Sequence, residues 1–126
     1  MNSKELQEMY ECKCFLLTRE NIGTFPKCPA VYVIFWDKVL NHPVGGSDIL
    51  YLGKADDDVR IRWSGYYNPG PSQETNKRIN RFLRVKGKKY VLIISVDTKK
   101  EARDLENMLL KKFEGDHFTH PPLNRG

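Results

Sequence analysis

The stretch AVYVIFWDKVLNHPVGGSDILYLG, residues 30–53, decides the fold. AVYVIFW, residues 30–36, is an unbroken run of β-branched and aromatic side chains, the pattern of a strand buried on both faces. DILYLG, residues 48–53, reads as a second strand. The polar segment between them, 37–48, carries Pro43, Gly45 and Gly46 and reads as a long hairpin loop. Downstream, a first helix is predicted around 57–66, then a Pro/Gly break, YNPGPSQ, and a second helix over 74–85 with Ile79, Phe82 and Leu83 on its inner stripe. KYVLIISV, 89–96, is the third strand. The last helix opens at Thr98-Lys-Lys-Glu101, a capping box, and is predicted to close at Gly115. Upstream, Pro26 and Pro29 mark the approach to the first strand, and 3–11 has the pattern of a short amphipathic helix. The order β-β-α-α-β-α predicts an α/β (α+β) fold, a small mixed or antiparallel three-stranded sheet flanked by helices.

Neither repeats nor a linker interrupt the chain, so residues 1–126 read as one domain, with 1–25 an extension packed on it or partly flexible. Hydrophobic residues make up 40% and charged residues 29%, which excludes a disordered chain. The longest apolar run, 30–36, is far short of the roughly 20 residues a membrane span needs. The first residues show no apolar signal run, so an intracellular location, cytoplasmic or nucleoid-associated, is expected. A net charge of +5 favours a polyanionic partner. The odd cysteine count (Cys12, Cys14 and Cys28) reads as reduced thiols. The competing zinc reading is weakened by the single-residue gap in Cys12-x-Cys14, shorter than zinc pairs use.

On a helical wheel started at Ala102, Leu105, Leu109 and Phe113 fall within about 60° of Ala102, and Glu106 falls at about 40°, inside that stripe. A glutamate is almost never buried without a partner. Glu106 therefore reads either as an edge residue reaching water or a core arginine, or as a carboxylate aimed into a cleft to hold a metal ion or a substrate cation.

Ala30-Val31-Tyr32 and Tyr51-Leu52-Gly53, on consecutive strands and followed by a basic helix, the helix of Glu106 and Pro121-Pro122-Leu123-Asn124, resemble the motif order of the GIY-YIG nucleases over roughly residues 26–125. YLGKADDDVRIRWSGYY is most similar to the N-terminal nuclease domain of the excision-repair incision enzymes: Lys54 and Ala55 follow the glycine, and Arg62 precedes Tyr66 by four. Arg60 competes for the arginine position, and the spacing to Tyr66 favours Arg62. Ala30 stands for the family's first glycine and Leu52 for its isoleucine. The run Asp56-Asp57-Asp58 is unusual beside a phosphate site, and reads as a solvated helix start or a second metal-binding lobe.

The resemblance implies a DNA endonuclease that uses one Mg²⁺ or Mn²⁺ ion. Glu106 would ligate the metal, Arg62 would neutralise the phosphoryl oxygens, and Tyr32 would be the general base beside Tyr51, with the choice between these two tyrosines open. Lys54 and Tyr66 complete the catalytic group, Gly53 is structural, and Asn124 is expected to brace the site. An unperturbed tyrosine pKa near 10 makes a poor base, so Lys54, Arg62 and the metal are expected to favour phenolate. Lys77, Arg78, Arg81, Arg84 and Lys88, within a stretch that also holds Lys86 and Lys89 and lacks acidic residues, are the expected DNA-binding residues. Trp63 reads as core, with Tyr66 and Tyr67 able to stack on a base.

Two other classes compete: a catalytically silent nucleic-acid-binding module of the same fold, and a protein-interaction domain, which leaves Glu106 unexplained. No organic cofactor or membrane partner is expected. With no appended recognition domain in this stretch, and only 37–48 and 64–76 long enough to read a structure, weak specificity, structure selectivity, or direction by a protein partner or dimer is expected.

Overall fold

The computed structural model describes residues 1–124. Its elements run α1 (Ser3–Met9), β1 (Lys13–Leu16), α2 (Arg19–Ile22), β2 (Ala30–Asn41), β3 (Gly46–Ala55), α3 (Val59–Tyr67), α4 (Glu74–Leu83), β4 (Lys89–Ser95) and α5 (Lys99–His117). The α+β expectation holds, but the sheet has four strands rather than three, in the order β1-β4-β2-β3, and every neighbouring pair is antiparallel. The unforeseen strand, β1, is short and mostly exposed, with only Phe15 turned toward the core. Four residues with one apolar contact carry no legible alternation.

The hairpin is tighter than expected. Beyond an irregularity after Phe35, strands β2 and β3 pair again at Leu40↔Ser47 and Asn41↔Gly46, so the polar stretch 37–48 is mostly strand, and the chain turns over 42–45 with Gly45 at φ 66°. Outward-facing polar residues are what a strand end beyond the core requires, and their composition is the same as that of a loop. The other presumed reading segment, 64–76, shrinks in the same way to residues 68–73 between α3 and α4.

Both faces of the sheet are covered, as the unbroken apolar run required. One face (Tyr32, Ile34, Val91, Ile93) packs on Trp63 and Tyr66 of α3 and Ile79 of α4. The other (Val31, Val33, Ile49, Leu52, Leu92, Ile94) packs on Leu6 of α1 and on Leu109 and Phe113 of α5. Val59, Trp63 and Tyr66 recur at helical spacing, which makes one buried stripe of α3. Among the described residues no helix is long and apolar enough to cross a membrane.

A register shift interrupts the β2–β3 ladder: Ile34 faces Tyr51 while Phe35 faces Ile49, so Leu50 is an extra residue. This bulge turns Leu50 and Tyr51 to the same face of the sheet. At the free side of β3, the Leu123 N–H donates to the Leu50 carbonyl at 2.9 Å. Asn124 Oδ1 accepts from Leu52 N–H at 3.0 Å, and its Nδ2 donates to Leu52 C=O at 2.8 Å. The segment 121–124 thereby covers the edge of β3 up to Leu52.

Helix α5 starts where expected, with Thr98 Oγ1 accepting from Glu101 N–H at 3.1 Å. It does not end at Gly115. It runs on to His117 and is capped by Phe118 in the left-handed conformation (φ 59°). Burial of His117 against the rest of the chain sustains this last turn beyond the glycine. A Cβ at Gly115 would meet nothing within 4 Å. Gly115→Ala is therefore expected to stabilise the protein by about 0.5–1 kcal/mol in urea unfolding, whereas a glycine needed as a left-handed cap would give destabilisation.

Candidate active site

The centre of the site is a cluster of three tyrosines. Strand pairing sets Tyr32 of β2 opposite Gly53 of β3, and the alternation of β3 puts Tyr51 on the same face as Gly53. A Cβ at position 53 would stand 2.6 Å from Tyr51 Cε2 and 2.7 Å from both Cζ and the hydroxyl of Tyr32. Only a glycine lets both rings lean across the strand there. Tyr66, from the buried stripe of α3, closes the group. Its hydroxyl makes a very short hydrogen bond with that of Tyr32, and its ring centroid lies 6.3 Å from Tyr32 and 6.4 Å from Tyr51. Trp63 packs edge-on against Tyr66 at 4.8 Å and is fully buried, a core residue as expected. Tyr66 is buried too, and Tyr67 carries the Arg19 guanidinium 4.6 Å above its ring, so neither offers a free stacking face.

Burial raises the pKa of all three phenols. Tyr32 is raised by desolvation and by Tyr51, and Arg62 lowers it only in part. Tyr51 and Tyr66 are likewise raised, chiefly by desolvation. The cationic pull expected from Arg62 is present, but enclosure outweighs it. Tyr51 keeps 7% of its surface exposed, against 0% for Tyr32 and 1% for Tyr66, so it is the outer member of the cluster.

Glu106 approaches from the other side of the sheet. It is partly buried on α5, and among the described residues it makes no hydrogen bond and no ion pair. Desolvation raises its pKa, while Lys54 and Arg62 lower it and Asp56 raises it further. A carboxylate that is partly desolvated yet unpaired suits a bound cation. Lys54 comes from the end of β3, and its Nζ donates to Asp56 Oδ1 at 2.7 Å.

The structure separates the two arginines. Arg60 is tied to its own helix start: its NH2 group lies 2.7 Å from Asp58 Oδ2, and Asp58 caps α3 by accepting from Arg60 N–H at 2.9 Å. Arg62 is an exposed residue whose charge bears on Tyr32, Tyr51, Tyr66 and Glu106 alike. Desolvation lowers its pKa, but the neighbouring tyrosines more than offset this, and the guanidinium stays charged. It lines a groove of about 160 Å³ with Ile61 and Asp56, Asp57 and Asp58. Of the acidic run, Asp56 thus goes to a lysine pair and Asp58 to a helix cap. Among the described residues no group of three or more His, Cys, Asp or Glu side chains is placed to hold a metal ion, and Cys12, Cys14 and Cys28 are free thiols.

The chain is similar to UvrABC system protein C. Over 94 residues, 75% of this chain, it is 35% identical to that protein from Geotalea daltonii. The aligned part is 13% of the relative, so the chain spans a small fraction of its length. Comparison with family models and with solved structures gives no match.

The expected DNA-binding residues divide. Lys77 donates to the Pro71 carbonyl and sits 3.5 Å from Glu74. Arg78 donates to the carbonyls of Leu123 and Asn124 at 3.3 and 3.4 Å, which clamps the segment covering β3. Lys89 is buried, with its ammonium donating to the carbonyl of Leu83 at the end of α4 and to that of Val85 just beyond it. Arg81, Arg84 and Lys88 remain exposed. Asp58 caps α3, in keeping with the helix start expected for the acidic run. The role of Arg78 as a clamp has no signal in the local sequence.

Gly53→Ala is expected to displace the two tyrosine rings and destabilise the fold by about 1–3 kcal/mol, with near-ultraviolet circular dichroism reporting the disturbed rings. The raised phenol pKa values also set an alkaline limit. Above pH 10, the ordinary tyrosine value, the unfolded chain releases these protons while the folded chain retains them. Stability is therefore expected to be complete below that pH and to fall as pH rises through it, measured as urea midpoints from pH 8 to 11.

Proposed function

We propose that this chain is a metal-dependent DNA endonuclease, weakly sequence-specific or structure-selective. The observation that carries the reading is the partly desolvated, unpaired Glu106, which feels the charges of Lys54 and Arg62 and whose own charge bears on Tyr51. The similarity to UvrABC system protein C and the motif order that resembles the excision-repair incision enzymes support it. In this reading Glu106 holds one Mg²⁺ or Mn²⁺ ion, which when bound supplies Lewis-acid polarisation of the scissile phosphate.

The remaining work falls to the chain's own groups. Arg62 offers a planar, permanently charged fork to the phosphoryl oxygens. Water attacks phosphorus and the bond from phosphorus to the sugar oxygen breaks; that oxygen takes a proton from solvent, and the proton of the attacking water passes to a phenolate of the tyrosine cluster, formed beforehand by loss of a phenol proton to solvent. Tyr51, at the outer end, is its entry point. Tyr32 and Tyr66, joined by their short hydrogen bond, stabilise charge on Tyr51 from behind. This assignment exchanges the roles expected for Tyr32 and Tyr51, because Tyr32 is wholly enclosed. Lys54 opposes the rise that burial causes in the Glu106 pKa. Asn124 holds β3 at Leu52, one residue before Gly53.

The test is plasmid nicking with Mg²⁺ or Mn²⁺, with and without EDTA, for the wild type and Glu106→Gln. Metal-dependent nicking is expected in the wild type, with a loss of at least about a hundredfold in the variant. Thermal unfolding supplies a second readout. A raised Glu106 pKa means that its ionised form costs stability above the ordinary carboxylate range, so without metal Glu106→Gln is expected to melt higher than wild type at pH 7. Added Mg²⁺ should raise the wild-type midpoint only. Nicking that survives in Glu106→Gln would sink the assignment, and DNA binding without cleavage would favour the silent module.

A further inference from the structure

A cleft of about 390 Å³ lies between the end of β3 and the first turns of α5, lined by Lys54, Asp56, Lys99, Lys100 and Arg103. Four cations face one carboxylate in this lining. Asp56 is committed to Lys54 at 2.7 Å, and Lys100 is committed to Asp104 at 3.1 Å. Among the described residues Lys99 has no ion pair, and Arg103 has only Asp104 Oδ1 at 3.9 Å, too far for a hydrogen bond. Two cations are thus left without a close partner.

Their placement on the helix gives them direction. Lys99, Arg103 and Glu106 are spaced i, i+4 and i+7, so they share one side of α5. At 1.5 Å per residue the row is roughly 10 Å long, comparable to the rise over about three nucleotides of one strand at 3.4 Å each. Lys54 and Asp56 line the cleft and are also among the charges that bear on Glu106, so cleft and carboxylate are contiguous. The basic stretch 77–89 lacks this connection. Three of its cations are bound to backbone carbonyls, and none is among the charges that bear on Glu106.

We propose that this cleft seats the DNA backbone beside the scissile bond, with Lys99 and Arg103 each neutralising a phosphate on the strand being cut. The assignment rests on the nuclease reading and fixes the strand's path along α5 rather than along α4. It accounts for weak sequence preference, because phosphate contacts position a strand without reading its bases.

The experiment is fluorescence anisotropy of a labelled DNA duplex in EDTA between 50 and 200 mM salt, with nicking measured in parallel. The variants are Lys99→Gln/Arg103→Gln and, for comparison, Arg81→Gln/Arg84→Gln. All four residues are exposed, and circular dichroism checks that the variants fold. The first pair is expected to weaken binding at least tenfold and to flatten the slope of log affinity against log salt by about 1.8, at roughly 0.9 per phosphate contact. The second pair should change the slope by less than half as much. A wild-type slope in Lys99→Gln/Arg103→Gln, with nicking intact, overturns the cleft and leaves the nuclease reading standing. The expected loss of slope with no nicking by any protein keeps the cleft and removes the nuclease reading. Absence of any DNA binding by the wild type overturns both.

Discussion

The ring of Tyr32 lies over a position on the neighbouring strand where a β-carbon would come within 2.7 Å of it. Most of the site follows from that contact. Because residue 53 is a glycine, two strands can bring two phenols together on one face of the sheet, and α3 can lower a third onto them. The bulge at Leu50 serves the same arrangement, since it is what turns Tyr51 toward Tyr32 while Ile49 stays in the opposite core. Three phenols under one helix also explain the electrostatics: enclosure keeps them protonated, and the charge of Arg62 at the rim opposes enclosure without overcoming it.

Glu106 shows the conflict between stability and chemistry from the other side. Its carboxylate is partly withdrawn from water and receives no hydrogen bond among the described residues. A fold selected only for stability would place an apolar side chain or a paired glutamate there. Lys54 and Arg62 relieve part of the cost through their charge.

Residues whose neighbours in space are neighbours in sequence or share a helical stripe were legible from the chain alone. Glu106 stood out because a carboxylate interrupts the row Leu105, Leu109, Phe113, and the run 30–36 announced a strand covered on both sides. Arg62 was separable from Arg60 only by its spacing to Tyr66, and the geometry supplies the reason: Arg60 folds back on Asp58. What escaped notice depends on contacts distant along the chain. Strand β1 exists because β4 offers it an edge, and Arg78 clamps a segment 45 residues away. The outer half of the hairpin was misread because exposed strand and loop have the same composition. Gly115 was misread because a helix tolerates a glycine when packing continues beyond it.

The segment 121–124 has a consequence beyond holding Leu52. An uncovered β3 would present free N–H and C=O groups to any other extended chain, the usual start of edge-to-edge aggregation. Here Leu123 and Asn124 occupy those groups. Pro121 and Pro122 have no N–H to offer, so the covering strip cannot become the next edge. The cover is therefore a chain terminator for sheet growth.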